Sequence, residues 1–183
     1  MRRELLVCLV MTGIVLISSC KNEVKSGDES SKISENSIVQ ADDGTISLKI
    51  NKAECYSDMT NPSNNTADWN VVISKPGRFK VWLSSATKDT SDLKYTNSVR
   101  ISLLDDQLEA KPACDKIVQN TSEVQYPYFR ADSYMGSVYV SEPGEYNIQV
   151  ISEKITSNTT EFQSTSLADD TKLMSVILMP VTR

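Results

Sequence analysis

The sequence predicts an all-β domain built as a sandwich of two sheets, and three observations carry that expectation. Between Asp68 and Ala86 apolar and polar residues alternate: Trp69, Val71 and Ile73 share a face before Pro76-Gly77, and Phe79, Val81 and Leu83 share one after it. A period of two over such a run is the pattern of strands with one face in a core. The pattern then recurs. Pro143-Gly144-Glu145-Tyr146-Asn147-Ile148-Gln149-Val150 repeats Pro76-Gly77-Arg78-Phe79-Lys80-Val81-Trp82-Leu83 after 67 positions, too long a spacing for a solenoid unit. Finally, no window carries a helical period. Pro-Gly fits the centre of a type II turn, with Pro presetting φ and Gly accepting a positive one. Type II turns splay paired strands, so each Pro-Gly is expected to carry the chain from one sheet to the other.

The N-terminus reads as a leader, residues 1–19. Arg2 and Arg3 precede an apolar run from Leu5 to Ile17, thirteen residues, too short to span a bilayer and suited to a signal sequence. Ile17-Ser18-Ser19-Cys20 resembles the lipobox of bacterial lipoproteins, which implies fatty acylation of Cys20 as the first mature residue; a plain cleaved signal and an uncleaved anchor are the alternatives. More than one acyl chain is needed for stable anchoring. Lys21 follows the Cys in place of the Asp that resembles an inner-membrane retention signal, so the expected address is the outer membrane, on its periplasmic or surface side. Residues 20–43 hold the lipidated Cys and a tether rich in Ser, Lys, Glu, Asp and Asn, too polar to offset the entropy of ordering.

Residues 44–183 form one domain's length. Ile46, Leu48 and Ile50 alternate, as do Val99, Ile101 and Leu103; Asp105-Asp106 turns the chain into Gln107–Lys111. Tyr134–Val140 and Tyr146–Ser152 flank the second Pro-Gly. Leu173–Val181 is apolar on both faces and is expected to be a central strand. Short strands with turn residues between them make a sandwich or barrel. Trp69 is expected in the core and Trp82 on the opposite side of its strand. An exported compartment permits a Cys55–Cys114 disulfide; two separate thiols are the alternative, and spacing does not decide between them.

Composition excludes several chemistries. The chain has no histidine, which removes Ser-His-Asp and Cys-His catalysis and the commonest general base. The pairs Asp42-Asp43, Asp105-Asp106 and Asp169-Asp170 offer carboxyls of the kind a glycosidase needs, but each flanks a strand, where Asp is turn chemistry. There is no Gly-rich phosphate loop. Loss of Arg2, Arg3 and Glu4 with the leader takes the net charge from −5 to −6, and an acidic domain without a basic run is a poor partner for nucleic acid. Tyr56, Tyr95, Tyr126 and Tyr128 lie in loops or at strand ends among Asn and Ser. An aromatic ring beside amide side chains suits a sugar, which offers C–H faces for stacking and hydroxyls for hydrogen bonds; the alternative is that these rings cap the core.

From about Gly44 to Thr182 the chain resembles jelly-roll modules of the galactose-binding-like type, in particular family 6 carbohydrate-binding modules and the C-terminal domains of bacterial α-L-fucosidases. The resemblance rests on Thr45-Ile46-Ser47-Leu48, Asp68-Trp69, Lys75-Pro76-Gly77-Arg78-Phe79-Lys80-Val81-Trp82-Leu83, Pro143-Gly144-Glu145-Tyr146 and Leu173–Pro180. It implies a two-sheet jelly roll and a sugar cleft in loops at one edge, for which Tyr56, Asn64, Asn65, Tyr126 and Tyr128 stand at the matching places, with Asn158 in addition. Related modules hold a structural calcium through two Glu. The matching positions here are Lys49 and Asn51, so neither metal nor cofactor is expected. The expected function is non-catalytic: a lipid-anchored protein that binds glycan. The alternative is a structural lipoprotein that binds an envelope protein, and an enzyme is a third reading.

Overall fold

The computed structural model describes residues 36–119, 121–156 and 171–181. The leader, Cys20, the tether up to residue 35, Asn158 and Asp169-Asp170 lie outside the described residues. Among the described residues eleven strands follow in order: β1 (Ile38–Val39), β2 (Ile46–Lys49), β3 (Glu54–Tyr56), β4 (Thr66–Ile73), β5 (Gly77–Thr87), β6 (Val99–Leu103), β7 (Asp106–Ala110), β8 (Lys116–Val118), β9 (Phe129–Val140), β10 (Gly144–Ile151) and β11 (Thr171–Pro180). The only helical pieces among the described residues are single 3₁₀ turns at Ile50–Lys52 and Pro62–Asn64. One sheet runs β1-β4-β10-β6-β7, with β3 also on β4; the other runs β2-β11-β5-β9-β8. All pairings are antiparallel except β1 with β4.

Both Pro-Gly turns are crossings between sheets, as the sequence predicts. The first leads from β4 to β5 and the second from β9 to β10. They lie side by side: Ile73 pairs with Gly144 in one sheet, and Gly77 with Val140 in the other. The turn type differs from expectation. Gly77 has a positive φ, but at +150 it is far from the type II value, and Gly144 is not in the positive-φ region; each Gly is the first residue of its strand. Gln40 fastens the first crossing. Its side-chain oxygen accepts the N–H groups of Ser74 and Lys75 at 3.1 and 2.7 Å, and its amide donates to the carbonyls of Gly44 and Lys75 at 2.8 and 3.2 Å.

The core is what the alternation requires. Trp69, Val71 and Ile73 face Phe79, Val81 and Leu83, with Ile46, Leu48, Val99, Ile101, Ile148 and Val150 around them, all buried. The Trp69 indole N–H is satisfied by the Lys49 carbonyl at 2.9 Å, as a buried donor must be. β11 lies between β2 and β5. Its register shifts between Leu173 and Ser175, which breaks the alternation and hides its inward side from a sequence reading.

A second irregularity lies between β5 and β9. Val81 pairs with Gly136 while Trp82 pairs with Tyr134, leaving Met135 as an extra residue. A bulge of this kind turns two successive residues to the same side, here Met135 and Gly136 toward the interior. Gly136 has φ +131, and a Cβ there would meet Leu108 of β7 at 3.1 Å. The absent side chain lets β7 close over β9.

Three expectations are corrected. The tether does not extend to Asp43: Ile38 and Val39 pair with Val71 and Val72, and Gln40 is buried. Two aliphatic residues are too short a run to show a period. Tyr95 is no surface ring but a core residue, 3% exposed, its hydroxyl 2.9 Å from that of Ser85; burial pushes its phenol above the ordinary range. Cys55 and Cys114 are not bridged. Cys55 is on β3, its thiol aimed at the Ile50 carbonyl at 3.9 Å, and burial followed by Asp68 raises its pKa. Cys114 lies in the loop before β8, raised by burial and then by Asp89, Asp92 and Asp115. The two sit in separate surroundings.

Gly136→Ala is expected to destabilise the fold by about 1–3 kcal/mol, from a strained φ and a crowded Leu108; a denaturant midpoint equal to wild type would count against the packing described. Alkylation in denaturant without reductant is expected to label both Cys55 and Cys114. A mass two daltons short, with neither labelled, would restore the bridge.

Candidate functional site

Side chains that alternation turns away from the core on β2, β11, β5, β9 and β8 form one face, and its centre is aromatic. Trp82 and Tyr134 are paired across β5 and β9, with ring centroids 5.2 Å apart and planes tilted by 55°. Tyr134 is 44% exposed, and Trp82 is half-buried. Ile177 of β11 pairs with Trp82 on the other side, and Ser47 of β2 with Ile177. This makes a row Ser47, Ile177, Trp82, Tyr134.

The next row down is polar: Lys49, Ser175, Ser84, Asp132 and Lys116. Asp132 is its hub. One carboxylate oxygen accepts the Ser84 hydroxyl at 2.7 Å and Arg130 Nε at 2.8 Å, and the other accepts Arg130 Nη2 at 3.0 Å. Two parallel bonds to one guanidinium fix both groups. Arg130 Nη1 reaches Glu123 at 2.6 Å, and Glu123 lies 4.0 Å from Lys49 Nζ. Burial disfavours the Arg130 charge, but Asp132 and Glu123 outweigh it and raise its pKa. Lys49 is on β2 and Arg130 on β9, so Glu123 brings the 121–128 segment across the lower half of this face. The upper half, with Trp82 and Tyr134, stays open, and Tyr139, Lys80 and Met179 border it.

The residues expected to bind sugar divide between places. Tyr126 and Tyr128 belong to the loop that crosses this face. Tyr126 is 91% exposed, and Tyr128 is half-buried with Lys88 Nζ 5.2 Å above its ring. Tyr56 lies on β3 in the other sheet, its hydroxyl on Glu54 at 3.2 Å. Asn64 is exposed and donates to Asp58 at 3.2 Å. Asn65 is buried. Its amide oxygen accepts the Asp58 N–H at 2.8 Å, and its amide nitrogen donates to the Ile155 carbonyl at 2.9 Å. Asn65 therefore ties the loop before β4 to the segment after β10, with both polar atoms engaged. No described contact joins these three to Tyr126 and Tyr128. The sequence reading turned Trp82 outward but did not find its partner Tyr134; only the register across the bulge brings the rings together.

A second concavity, of about 750 Å³, opens at the edge of the sandwich where β4 has neither β1 nor β3 beside it. Lys49, Asn51, Lys52, Glu54, Asp68 and Asn70 are among its lining, and Asp68 Oδ1 is buried there without a hydrogen-bond partner. This is where the family resemblance implies calcium. The donor set does not fit: a hard cation wants several anionic oxygens, and here two carboxylates share the cleft with two ammonium groups. Nor does it suit a sugar ring, since its aromatic residue, Trp69, is 2% exposed.

No protein-family description matches the chain, and no curated protein matches it. Solved structures do. A segment of an α-L-fucosidase from Vibrio sp. strain EJY3 matches with TM-score 0.63 and 22% identity, covering 79% of this chain and 24% of that one. A Podospora anserina GH26-CBM35 β-(1,4)-mannanase matches with TM-score 0.45 and 10% identity over 77% and 28% of the two chains. The mosquito-larvicidal Cry4Aa toxin of Bacillus thuringiensis matches with TM-score 0.48 and 11% identity over 81% and 25%. The chain thus spans about a quarter of the length of each. The fucosidase match is one of fold, and it agrees with the two-sheet sandwich read from the sequence.

Asp132→Ala would leave Arg130 largely buried and half-satisfied. Removing one member of such a pair is expected to cost about 2–4 kcal/mol, read as a lower denaturant midpoint. An unchanged midpoint would mean that the loop is not held through Arg130.

Proposed function

We propose that this chain is a non-catalytic envelope lipoprotein whose sandwich binds glycan on the open face of the β2-β11-β5-β9-β8 sheet. The observation that carries the reading is the half-exposed Trp82–Tyr134 pair set directly above a row of fixed polar groups. A sugar ring stacks its C–H face on an aromatic surface and directs hydroxyls to the accessible neighbours Ser47 and Ser137. Because bonds already lock Asp132 and Arg130, little freedom is left to lose on binding. The exposed Tyr126 ring, carried by the crossing loop, adds a second stacking surface at the margin. The fold-level match to part of an α-L-fucosidase supports a module of this class.

Absence of histidine and the engagement of Asp132 by Arg130 and Ser84 support a binding role over catalysis. Cys20, after its short apolar run, supplies the anchor, and Lys21 favours the outer membrane. A protein partner is the second reading, favoured by Tyr139 and Met179, 57% and 48% exposed, which extend the apolar part of the face.

A glycan-array screen followed by titration tests the first reading. Trp82→Ala or Tyr134→Ala should weaken glycan binding by about 1–3 kcal/mol, as loss of a stacked ring at a hot spot does. Tyr126→Ala should weaken it with no shift in melting temperature. No glycan affinity in the wild type would favour the protein partner. Separately, Cys20→Ala should abolish fatty-acid labelling of the mature protein; persistent labelling would sink the anchor.

A further inference from the structure

The two outward faces of the sandwich carry opposite charge. On the β1-β4-β10-β6-β7 side, with β3, the outward strand residues include Glu54, Asp68, Glu145 and Glu109 with one strand cation, Arg100, while Lys49 and Lys52 share the edge cleft with Glu54 and Asp68. On the aromatic side they include Lys49, Arg78, Lys80, Lys116 and Arg130. The carboxylates there are Asp132 and Glu123, both held by Arg130, and at the rim Asp115, which accepts the Tyr134 backbone N–H at 2.7 Å. Among the described residues no carboxylate lies within ion-pair distance of Arg78, Lys80 or Lys116. Lys80 is on the same strand face as Trp82, two residues earlier, roughly 6.5–7 Å along the strand. Arg78 stands one step further, beside Tyr139 and Ser137, its guanidinium 3.4 Å from the Ser137 hydroxyl. A chain of net charge −5 thus places cations that have no ion-pair partner among the described residues around the outward Trp82–Tyr134 pair.

We propose that the ligand of this face is an anionic glycan, carboxylated or sulfated. One sugar stacks on Trp82 and Tyr134 while the acidic group of that sugar or its neighbour meets Lys80 and Arg78. This rests on the glycan-binding reading and deepens it. The aromatic rows argue for a sugar over a lipid headgroup. A flat anionic membrane would be met by charge alone, whereas here the cations border a tilted pair of rings set among hydroxyls. The opposite, acidic face then repels the same polymer, so the glycan has one side on which to bind.

The test measures binding of the full chain, in detergent, to polygalacturonate, dextran sulfate and uncharged dextran, and, after detergent removal, to phosphatidylglycerol vesicles, scored as the excess over phosphatidylcholine vesicles. At least one acidic polymer should bind more tightly than dextran, and its affinity should fall as salt rises, since exposed charges are screened. Lys80→Ser with Arg78→Ser should lower that affinity by about tenfold, near the upper range for two exposed pairs. Trp82→Ala and, independently, Tyr134→Ala should lower it as well. If dextran binds as tightly as the acidic polymers, losing affinity with Trp82→Ala but not with the double Ser variant, the anionic class is overturned and the glycan reading stands. If the double Ser variant matters and neither ring does, the polymer is merely adsorbed and the proposal fails. Binding to vesicles without binding to any polysaccharide, or binding to none of the four, overturns the proposal and the glycan reading together.

Discussion

The fold depends on two crossings lying side by side. β4 turns into β5 and β9 turns into β10, while β4 pairs with β10 and β5 with β9. Four strands and two turns thus form a closed circuit through both sheets. In such a circuit the register of one pair fixes that of the other. Ile73 opposite Gly144 sets the first sheet, and Gly77 opposite Val140 sets the second. A slip by one residue in either would turn Trp69, Val71 and Ile73, or Phe79, Val81 and Leu83, to solvent. Gln40 adds a clamp at this point, from outside the circuit. Its amide joins the N-terminal segment to the first crossing, which is how a two-residue strand keeps its place.

Given that circuit, the bulge opposite Trp82 becomes necessary. β9 must present Ala131 and Ser133 inward at one end and Val138 and Val140 inward at the other. Strict alternation allows only one of these sets, so one extra residue has to be absorbed. Met135 and Gly136 absorb it by facing inward together, and two adjacent inward side chains fit only when one of them is absent. The same shift places Tyr134, Ser137 and Tyr139 outward. The aromatic pair on the face and the glycine under Leu108 are therefore two results of a single irregularity.

This also explains which features were legible in the sequence. Period-two runs and repeated Pro-Gly turns are local, so the strands, the crossings and the outward side of Trp82 follow from them. Tyr134 as its neighbour does not, because the extra residue in β9 changes which side chains share a face. Loops misled for a similar reason. Asn65 and Tyr95 look like surface polar residues among Asn, Ser and Thr. Their partners, Ile155 and Ser85, come from other elements, and only those partners show that both are buried. The cysteines differ again. Two thiols behind a leader-like N-terminus left a bridge open in the sequence, and only their separate surroundings decide against one.

The outward face shows how one loop divides a sheet surface. Charged groups on a sheet exposed to water do not need one another, and most exposed ion pairs add little. The Arg130–Asp132 pair differs because the 121–128 segment reaches it through Glu123, and the Asp132 side chain is 8% exposed. Once covered, its charges must be satisfied within the protein, and Ser84 and Glu123 complete the set. The loop thus covers the middle of the lower half, around Arg130 and Asp132, while Lys49 and Lys116 at its ends stay exposed. It leaves the upper half uncovered, where rings and unpaired cations remain. The covered half fixes the loop, and the fixed loop defines the boundary of the open half. What the loop leaves uncovered is Trp82, Tyr134, Lys80 and Arg78, all outward on β5 and β9.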